Sequence, residues 1–547
     1  MASVSLPLIT IDDRVAESTV LPHVWSLCAG AGRANEALRA DWQQQFREAV
    51  DRLGFRYLRF HGVFHDDMFV YRGSYGGGFG PDVPLETAVH TFSYVDKVFD
   101  FLIDLGVRPF VELGFMPREL ATQTETVFWW GAHCSPPNDM DRWLELVVRS
   151  VEHWIERYGL AEVREWRFEV WNEPNLVPHF WTGTKTEYFE LYAATVLAIK
   201  AIDPELKVGG PSTSVFVPDD RYAGETEDRS AEHATAAATD PDALDWRPVW
   251  IEDFLVWCAE RKLPVDFIST HLYPTDFAFG ANGEAVSLTR YANATPDDLT
   301  LLRRLIGESA YPDAEVHITE WSSSPSSRDH IHDTVFAATY ITRAYLRSAD
   351  LADSISYWTF TDIFEEGGAG LGPFHGGFGL VNEQGIHKPT FHAFAMLNRL
   401  GDRLIASTAR GVVSQHSATG ELAALFYNYP DDMNDLSVGT RNSYEATRDL
   451  IGMGPGQHVR HTIGGLEPGA VFAVEILAPG HGDAAEAWSS IGQPLNLSRA
   501  QAAYLREQGD ALQRHTLVAS ESGTLEIDLA LAPWAVASVF ALSVPRR

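Results

Sequence analysis

Cysteine, basic residues and long hydrophobic runs are all scarce in this chain of 547 residues. Its three cysteines, Cys28, Cys134 and Cys258, are too few for a disulfide framework, and they match no metal-ligand spacing. We therefore predict buried free thiols and no metal site. No apolar stretch approaches the roughly 20 residues that a membrane-spanning helix needs, so we expect no membrane partner.

Acidic residues outnumber basic ones by 75 to 42, which gives a formal net charge of −33. Such a surface repels phosphate backbones and anionic lipid, which argues against nucleic acid or a membrane as partner. It also disfavours an acidic polysaccharide, and a neutral substrate fits best. The N-terminus carries no basic leader before Asp12 and Asp13, so we expect a cytoplasmic location.

Short strand-like runs alternate with longer helical patterns from about residue 20 to about residue 400. Eight alternations favour an α/β fold, a parallel (β/α)8 TIM barrel, over an open doubly wound sheet, although the count depends on a weak fifth strand. The predicted strands are Val24–Cys28, Arg56–Phe60, Arg108–Leu113, Phe168–Trp171, Lys207–Gly209, Phe267–Thr270, Glu315–Thr319 and Ser354–Thr359. The predicted helices are Ala34–Leu53, Thr87–Leu105, Arg142–Tyr158, Thr186–Ile202, Val249–Arg261 and Asp333–Ser348.

After about residue 400 the sequence changes to short β-type runs separated by glycine, proline and asparagine, which is typical of a β-sandwich. We therefore assign residues 21–400 to a catalytic barrel and 401–547 to an accessory all-β sandwich domain, to which residues 1–20 contribute a strand. A helical stretch at Gln501–Arg514 interrupts the sandwich. The acidic, alanine-rich segment Pro218–Asp245 is predicted to be a loop or short hairpin insertion after the fifth strand.

Two glutamates each lie at the end of a predicted strand. Glu173 follows the fourth strand in the run Trp-Asn-Glu-Pro, and Glu320 ends the seventh in the run Thr-Glu-Trp. The carboxyl ends of barrel strands converge on one mouth, where enzymes of this fold keep their active sites. Two carboxyl groups facing each other across such a mouth are the minimum equipment for cleaving a glycosidic bond. Either glutamate alone could be a strand-end cap, but their joint occurrence favours catalysis.

Neighbouring residues indicate how a sugar would be held. Burial beside Trp171 would raise the pKa of a glycosidase acid, and Asn172 can donate to a sugar 2-hydroxyl. His271 and Tyr273 share one face at the end of the sixth strand, so both are predicted to point into the mouth, where Tyr273 can orient a carboxylate. His61, at the end of the second strand, is a candidate ligand for sugar hydroxyls. The alternative for each is a purely structural role.

The eighth strand and the loop after it add further candidates. Trp358 is predicted to form the floor on which a pyranose ring stacks, and Glu365 and Glu366 to accept hydrogen bonds from sugar hydroxyls. The alternative places Trp358 in the core and both acids in solvent. An aromatic run, Phe128-Trp129-Trp130, fits either a wall of the sugar site or ordinary packing.

These motifs resemble glycoside hydrolase family 39, and in particular its β-xylosidases. The resemblance spans about 350 residues and is carried by Arg59–Gly62, Arg108–Pro117, Trp171–Asn175, His317–Glu320, His332–Thr334, Tyr357–Glu366 and Phe374–Leu380. It implies a retaining enzyme with Glu173 as acid/base and Glu320 as nucleophile, a β-sandwich beside the barrel, and a possible homo-oligomer. It also implies a xylose subsite formed by His61, Asn172, His271, Tyr273, Trp358, Glu365 and Glu366. Two features depart from the family pattern: Trp321 stands where tyrosine is common, and the insertion at 218–245 is long.

The predicted function is that of a retaining, exo-acting β-D-xylosidase on xylo-oligosaccharides and aryl xylosides, which needs no metal or organic cofactor. An α-L-arabinofuranosidase, or a bifunctional enzyme, would use the same site. An α-L-iduronide is disfavoured because its carboxylate calls for Arg or Lys where the mouth offers Glu365 and Glu366. The alternatives from other classes are an inactive carbohydrate-binding protein and, with less support, a metal-dependent hydrolase.

Overall fold

The computed structural model describes residues 8–10, 18–75, 83–226, 243–279, 285–435 and 438–542. Eight parallel strands close into a barrel, so the predicted (β/α)8 fold is confirmed. The barrel strands are β1 (Cys28–Arg33), β2 (Tyr57–His61), β3 (Arg108–Leu113), β4 (Arg167–Val170), β5 (Lys207–Thr213), β6 (Phe267–His271), β7 (Glu315–Trp321) and β8 (Ser354–Tyr357). The barrel helices are α1 (Ala40–Leu53), α2 (Ser93–Asp104), α3 (Met140–Tyr158), α4 (Lys185–Ile202), α5 (Ile251–Arg261), α6 (Ala294–Glu308), α7 (Val335–Ser348) and α8 (Pro389–Asn398).

The barrel strands are buried on both faces, as parallel strands covered by helices must be. Every residue of β2 is buried, and β8 closes the ring by pairing Tyr357 with Ala29 of β1. The helices present one apolar stripe to the strands: α3 buries Trp143 and Trp154, and the Asp139 side chain caps its first turn by accepting from the Arg142 amide. The eight carboxyl ends therefore meet on one rim, where the candidate residues lie.

Three predicted elements differ from the structure near the N-terminus. The first strand begins at Cys28, because the buried run Val24–Leu27 forms a helical turn instead. A short apolar run bounded by turns does not distinguish these two forms by periodicity. The second helix begins at Ser93 rather than Thr87, because Val83–His90 pairs with Tyr71–Tyr75 as a hairpin. The predicted helix over Ala34–Leu53 is a 3-10 turn followed by α1.

Two sheets make up the β-sandwich, and their facing apolar side chains form its core. The larger sheet has seven strands, in the order Thr19–Val20, Arg403–Thr408, Gly411–Gln415, Leu422–Tyr427, Val536–Ala541, Val471–Leu477 and Gln513–Val518. The smaller sheet has three, in the order Leu8–Thr10, Gln457–Gly464 and Leu525–Leu531. Alternate residues of Leu525–Leu531 are buried against this core, as expected of a strand with one face in solvent. Leu8–Thr10 pairs in parallel with Thr462–Gly464, so chain from before the barrel joins this unit.

Shorter elements surround these two units. The additional helices are Leu160–Val163, Arg448–Ile451, Ala484–Ser490 and Arg499–Gly509, and two further hairpins join Thr126–Val127 to Ala132–His133 and Thr275–Phe279 to Ala285–Thr289. The predicted insertion at 218–245 lies mostly outside the described residues, and its base is closed by a bridge between Val217 and Arg247. Cys28, Cys134 and Cys258 are buried and unpaired, as predicted. Among the described residues, no helix combines the length and the apolar character that crossing a bilayer requires.

A buried lysine anchors the long segment between β8 and α8. The Lys388 ammonium lies 2.8 Å from Asp333 and 2.6 Å from Asp362, and it donates to the Gly377 carbonyl at 2.9 Å. All three charged side chains are fully buried. Asp362 also accepts from the Gly379 amide. This single cation therefore fixes several points of the segment that forms one side of the barrel mouth.

We predict that Lys388→Met lowers the free energy of unfolding by about 3–5 kcal/mol, because it leaves two buried carboxylates without their cation. The measurement is denaturant unfolding followed by tryptophan fluorescence. Lys97→Met, at an exposed lysine of α2, is the control and should change stability by less than about 0.5 kcal/mol. Equal unfolding midpoints for the two variants would contradict the anchoring role of Lys388.

Candidate active site

Glu173 lies on a tight turn directly after β4. Both Trp171 and Glu173 have positive φ angles, 73° and 45°, a region that non-glycine residues rarely adopt. The turn is held by two hydrogen bonds: the Glu173 amide donates to the Ser212 carbonyl at 2.8 Å, and the Trp171 indole donates to the Phe180 carbonyl at 2.9 Å. The Glu173 carboxyl consequently faces the barrel mouth in a fixed position rather than on a mobile loop.

Glu320 is the penultimate residue of β7 and is only 5% exposed. One carboxylate oxygen, Oε1, accepts from the Arg59 guanidinium at 2.7 Å, and the other, Oε2, accepts from the Tyr273 hydroxyl at 3.2 Å. Each oxygen thus has its own donor, which fixes the plane of the carboxylate. Tyr273 has the orienting position that its place after β6 predicts.

The His271 ring contacts the carboxyl groups of both glutamates. Its Nδ1 atom lies 2.9 Å from Glu173 Oε1 and 3.6 Å from Glu320 Oε2. Those two carboxylate oxygens are therefore at most about 6.5 Å apart, the sum of the two distances. Retaining glycosidases place their carboxyl groups about 5–5.5 Å apart, whereas inverting enzymes need about 6.5–9.5 Å to admit a water molecule. A separation of these two oxygens below about 6.5 Å is compatible with the retaining arrangement.

Arg59, on β2, is the centre of the buried polar network under the mouth. Its guanidinium contacts three carboxylates: Glu169 at 2.6 Å, Glu320 at 2.7 Å and Glu112 at 2.9 Å. It also donates to the Asn172 amide oxygen at 2.7 Å. Asn172 lines the pocket, and its amide nitrogen is buried without a hydrogen-bond partner among the described residues. A buried donor without an acceptor is ready to bind a ligand hydroxyl.

His61, two residues after Arg59 on the same face of β2, is held as a cation. Its Nδ1 lies 2.6 Å from Glu112, and its Nε2 lies 3.4 Å from both Glu320 and Glu366. Burial lowers the pKa of His61, but the carboxylates of Glu112 and Glu366 outweigh that effect and raise it to about 10. At neutral pH His61 therefore carries a proton on each ring nitrogen.

Burial sets different proton affinities for the two strand-end glutamates. Burial raises the pKa of Glu173 to about 7, against the opposing charges of His61 and Arg59. Burial also raises the pKa of Glu320, but His271, Arg59 and His61 oppose the rise, and Arg59 bonds it directly. Burial lowers the pKa of His271 to about 4, so its ring is neutral. Glu173 can thus hold a proton near neutral pH, whereas the burial effect on Glu320 is opposed by three neighbouring groups, one of which, Arg59, bonds it directly.

The pocket above these groups has about 600 Å³ of empty volume, including its open mouth. His61, Asn172 and Trp358 are among its most buried lining residues, whereas Phe128, Phe180 and Glu366 are partly exposed. The lining residues are His61, Phe128, Asn172, Glu173, Leu176, Phe180, Ser214, Val215, Tyr273, Glu320, Pro325, Trp358, Glu366 and Phe378.

The structure brings seven of the nine predicted site residues to the pocket lining: His61, Asn172, Glu173, Tyr273, Glu320, Trp358 and Glu366. His271 lies just beneath, in contact with both glutamates but not with the open space. Glu365 is not brought there: its carboxylate pairs with Arg33 at 3.0 Å and with Arg39. The expectation that Glu365 faces the sugar is therefore not met, because Arg33 at the end of β1 and Arg39 in the segment after it bind its carboxylate away from the pocket.

Sequence reasoning did not assign roles to Arg59, Glu112 or Glu169. Arg59 could have been predicted to face the mouth, because alternate residues of a strand share a face and Arg59 lies two residues before His61. Glu169 pairs across strands with Arg59 at 2.6 Å. Glu36, also unassigned, accepts from the backbone amides of Arg33 and Glu365 and so fixes the residue next to Glu366. Burial raises the pKa of Glu36 to about 8.

Comparison with known proteins places this geometry among sugar hydrolases. Residues 8–223 and 239–526 match the sequence model described as "Glycosyl hydrolases family 39". The chain is 39% identical over 415 residues to a "Beta-xylosidase" of Geobacillus stearothermophilus, covering 74% of this chain and 73% of that protein. It is 41% identical over 383 residues to a "Beta-xylosidase" of Caldicellulosiruptor saccharolyticus, covering 70% and 69%. The crystal structure of "a monomeric beta-xylosidase from Caulobacter crescentus CB15" superposes with a TM-score of 0.79 at 31% identity, covering 96% and 97%.

The different environments of two adjacent acids give a direct test of this site. We predict that Glu366→Ala lowers kcat/KM for an aryl glycoside by about 10- to 100-fold, because the pocket loses a charged hydrogen-bond acceptor. Glu365→Ala, the matched control, should change kcat/KM by less than about 3-fold and instead lower thermal stability, since Arg33 and Arg39 lose their partner. The kcat/KM of both variants is measured by steady-state kinetics, and their stability by thermal unfolding. A larger kinetic loss for Glu365→Ala would contradict the assignment.

Proposed function

Since the chain belongs to glycosyl hydrolase family 39 and is a glycoside hydrolase, we propose that it is a retaining, exo-acting β-D-xylosidase. The observation that carries this proposal is the arrangement around His271. Two carboxyl groups lie 2.9 and 3.6 Å from one ring nitrogen; burial raises the pKa of Glu173 to about 7, whereas Arg59 bonds Glu320 directly. That combination matches a general acid and a nucleophile acting in sequence.

In the first step Glu320 attacks the anomeric carbon while Glu173 protonates the glycosidic oxygen. The bond between that carbon and the leaving oxygen breaks, and a covalent glycosyl ester forms on Glu320. Arg59 and Tyr273 hold the two oxygens of Glu320, so the attacking atom needs little reorientation. Glu173, raised in pKa by burial, still holds its proton near neutral pH.

In the second step Glu173, now ionised, takes a proton from water, and the resulting nucleophile cleaves the ester to release xylose with its original configuration. The free amide nitrogen of Asn172 is placed to donate to the sugar 2-hydroxyl, a contact that strengthens as positive charge develops on the ring. His61 and Glu366 offer a donor and an acceptor to other hydroxyls, and Trp358 offers an apolar surface. These assignments support a single pyranose at the bottom of the pocket.

The charge of the pocket favours a neutral sugar. Among the described residues its lining holds three carboxyl groups, Glu173, Glu320 and Glu366, and one cationic side chain, His61, with no lysine or arginine. A substrate carboxylate, as in an iduronide, would face repulsion there. A closed bottom and an open mouth also suit removal of one terminal unit, which supports exo action on xylo-oligosaccharides.

An α-L-arabinofuranoside is the second candidate substrate, because it offers similar hydroxyls to the same acceptors. A sugar-binding protein without turnover is disfavoured by the intact pair of carboxyl groups with separate donors. A metal-dependent hydrolase would lose activity in the presence of a chelator. Full activity after treatment with EDTA would dispose of that alternative.

Stereochemistry is the first prediction of this mechanism. Proton NMR during early hydrolysis of an aryl β-D-xyloside should show β-xylose first and α-xylose only later, by mutarotation. Initial α-xylose would show inversion, with Glu320 acting as a base through water. Release of arabinose from an aryl arabinofuranoside, without release of xylose from the xyloside, would replace the proposed sugar and leave the mechanism in place.

The pH dependence is the second prediction. Because burial raises the pKa of Glu173, its proton is retained below about pH 7 and lost above it. We therefore expect kcat/KM for a phenyl xyloside, whose leaving group needs protonation, to fall about 10-fold per unit at high pH. Glu173→Ala should abolish this alkaline limb, retain glycosylation by a 2,4-dinitrophenyl xyloside, and give β-xylosyl azide with added azide. Glu320→Ala should instead give the α-azide; the opposite pairing of products would reverse the two roles.

A further inference from the structure

One large aromatic side chain at the mouth is left in solvent. The hairpin at residues 126–133 carries three consecutive aromatics in its turn. Phe128 lines the sugar pocket, and Trp130 packs against the Arg33 guanidinium, 5.3 Å from its ring centre. Between them, Trp129 is 69% exposed. An indole exposed to this degree beside a ligand pocket marks a candidate contact surface.

Trp129 is exposed but its backbone is fixed. Its amide donates to the Glu366 carbonyl at 2.7 Å, and the Gly131 amide donates to the Phe128 carbonyl at 3.1 Å, closing the turn. The Trp129 ring lies against Gly368, where an added Cβ would come within 3.9 Å of it. The two neighbouring aromatics and these contacts anchor the hairpin, so the indole is presented on a preorganised support.

Trp129 lies beside the open rim of the pocket, through which a leaving group departs. The bottom is closed by buried groups, including Trp358, Asn172 and His61, each no more than 1% exposed. The rim consists of the partly exposed lining residues, among them Phe128 and Glu366. Trp129 follows the first of these in the chain and is hydrogen-bonded to the second. It is therefore an exposed ring directly adjacent to two residues of the rim.

We propose that Trp129 is the platform of a second subsite, on which the ring of the leaving group stacks. The occupant is the next pyranose of the oligosaccharide, or an aryl ring in its place. This proposal rests on the proposed function only in requiring that a glycosidic bond is cleaved in the pocket, whatever the terminal sugar is.

The chemistry of the occupant fits an indole. The C–H groups of a pyranose form an apolar face, and packing it against the ring removes apolar surface of both partners from water. Such a contact does not read individual hydroxyls, so it accepts sugar and aryl rings alike. Because it lies away from the reacting bond, its binding energy positions the bond for attack and is expressed in kcat/KM.

The test compares leaving groups with and without a ring. For Trp129→Ala we expect kcat/KM to fall about 10-fold for xylobiose and for phenyl β-D-xyloside. For β-D-xylosyl fluoride, whose leaving group has no ring, kcat/KM should change less than about 2-fold, as should inhibition by free xylose. Trp129→Phe, which keeps a planar ring, should retain most of the activity towards xylobiose. Thermal unfolding of both variants checks that the hairpin and barrel remain intact.

Two results would overturn the proposal. An equal loss for xylobiose and for the fluoride would show that Trp129 shapes the first sugar site, and no loss for either would show that the indole contacts no substrate. If the proposed function is wrong, a different result is expected. In that case the wild-type enzyme would cleave another glycoside rather than xylosides, and the same ring-to-fluoride comparison with that sugar would still decide the role of Trp129.

Discussion

The active site depends on one buried cation. Arg59 lies at zero exposure on β2 and contacts Glu112, Glu169 and Glu320, which come from three other barrel strands or strand ends. Placing these carboxylates together without a cation would be prohibitive, because each would lose its hydration without compensation. The planar guanidinium has more donors than a lysine ammonium and holds them in fixed directions, so it contacts three carboxylates and the Asn172 amide at once. The same side chain therefore sets the position and the electrostatic environment of Glu320, the proposed nucleophile.

The Arg59 cation also gives the two glutamates different electrostatic environments. Glu320 bonds Arg59 directly, whereas Glu173 feels it only at a distance and is dominated by burial. His271 contacts both carboxyl groups, and burial lowers the pKa of its ring to about 4. The two glutamates therefore differ in their donors: Arg59 and Tyr273 bind Glu320 and not Glu173. The two side chains are chemically identical, and their environments differ because they lie at different positions relative to β2.

Regular elements made the two glutamates predictable from sequence. Glu320 belongs to a strand, and Glu173 follows one closely, so the convergence of strand ends in a barrel placed them together before any contact was known. The same logic placed His61, Tyr273 and Trp358. It could not separate Glu365 from Glu366, because these adjacent residues lie in a segment without periodicity. Their directions are decided by Arg33, Arg39 and Glu36, which lie more than 300 positions away in the chain. Long-range ion pairs of this kind leave no local pattern, and neither did the carboxylate cluster around Arg59.

The segment from β8 to α8 contributes part of the pocket lining but neither of the two strand-end glutamates. Glu366 and Phe378 lie on it, whereas Glu173 follows β4 and Glu320 lies in β7. Lys388 secures the segment internally through Asp362 and to the barrel through Asp333. Substitutions between these anchors can change which pattern of sugar hydroxyls the pocket accepts. The positions of Glu173 and Glu320 would stay the same, because neither residue belongs to the segment. Differences in substrate specificity can therefore arise by mutation of this segment alone. A library of variants confined to it is a direct way to alter the sugar selectivity.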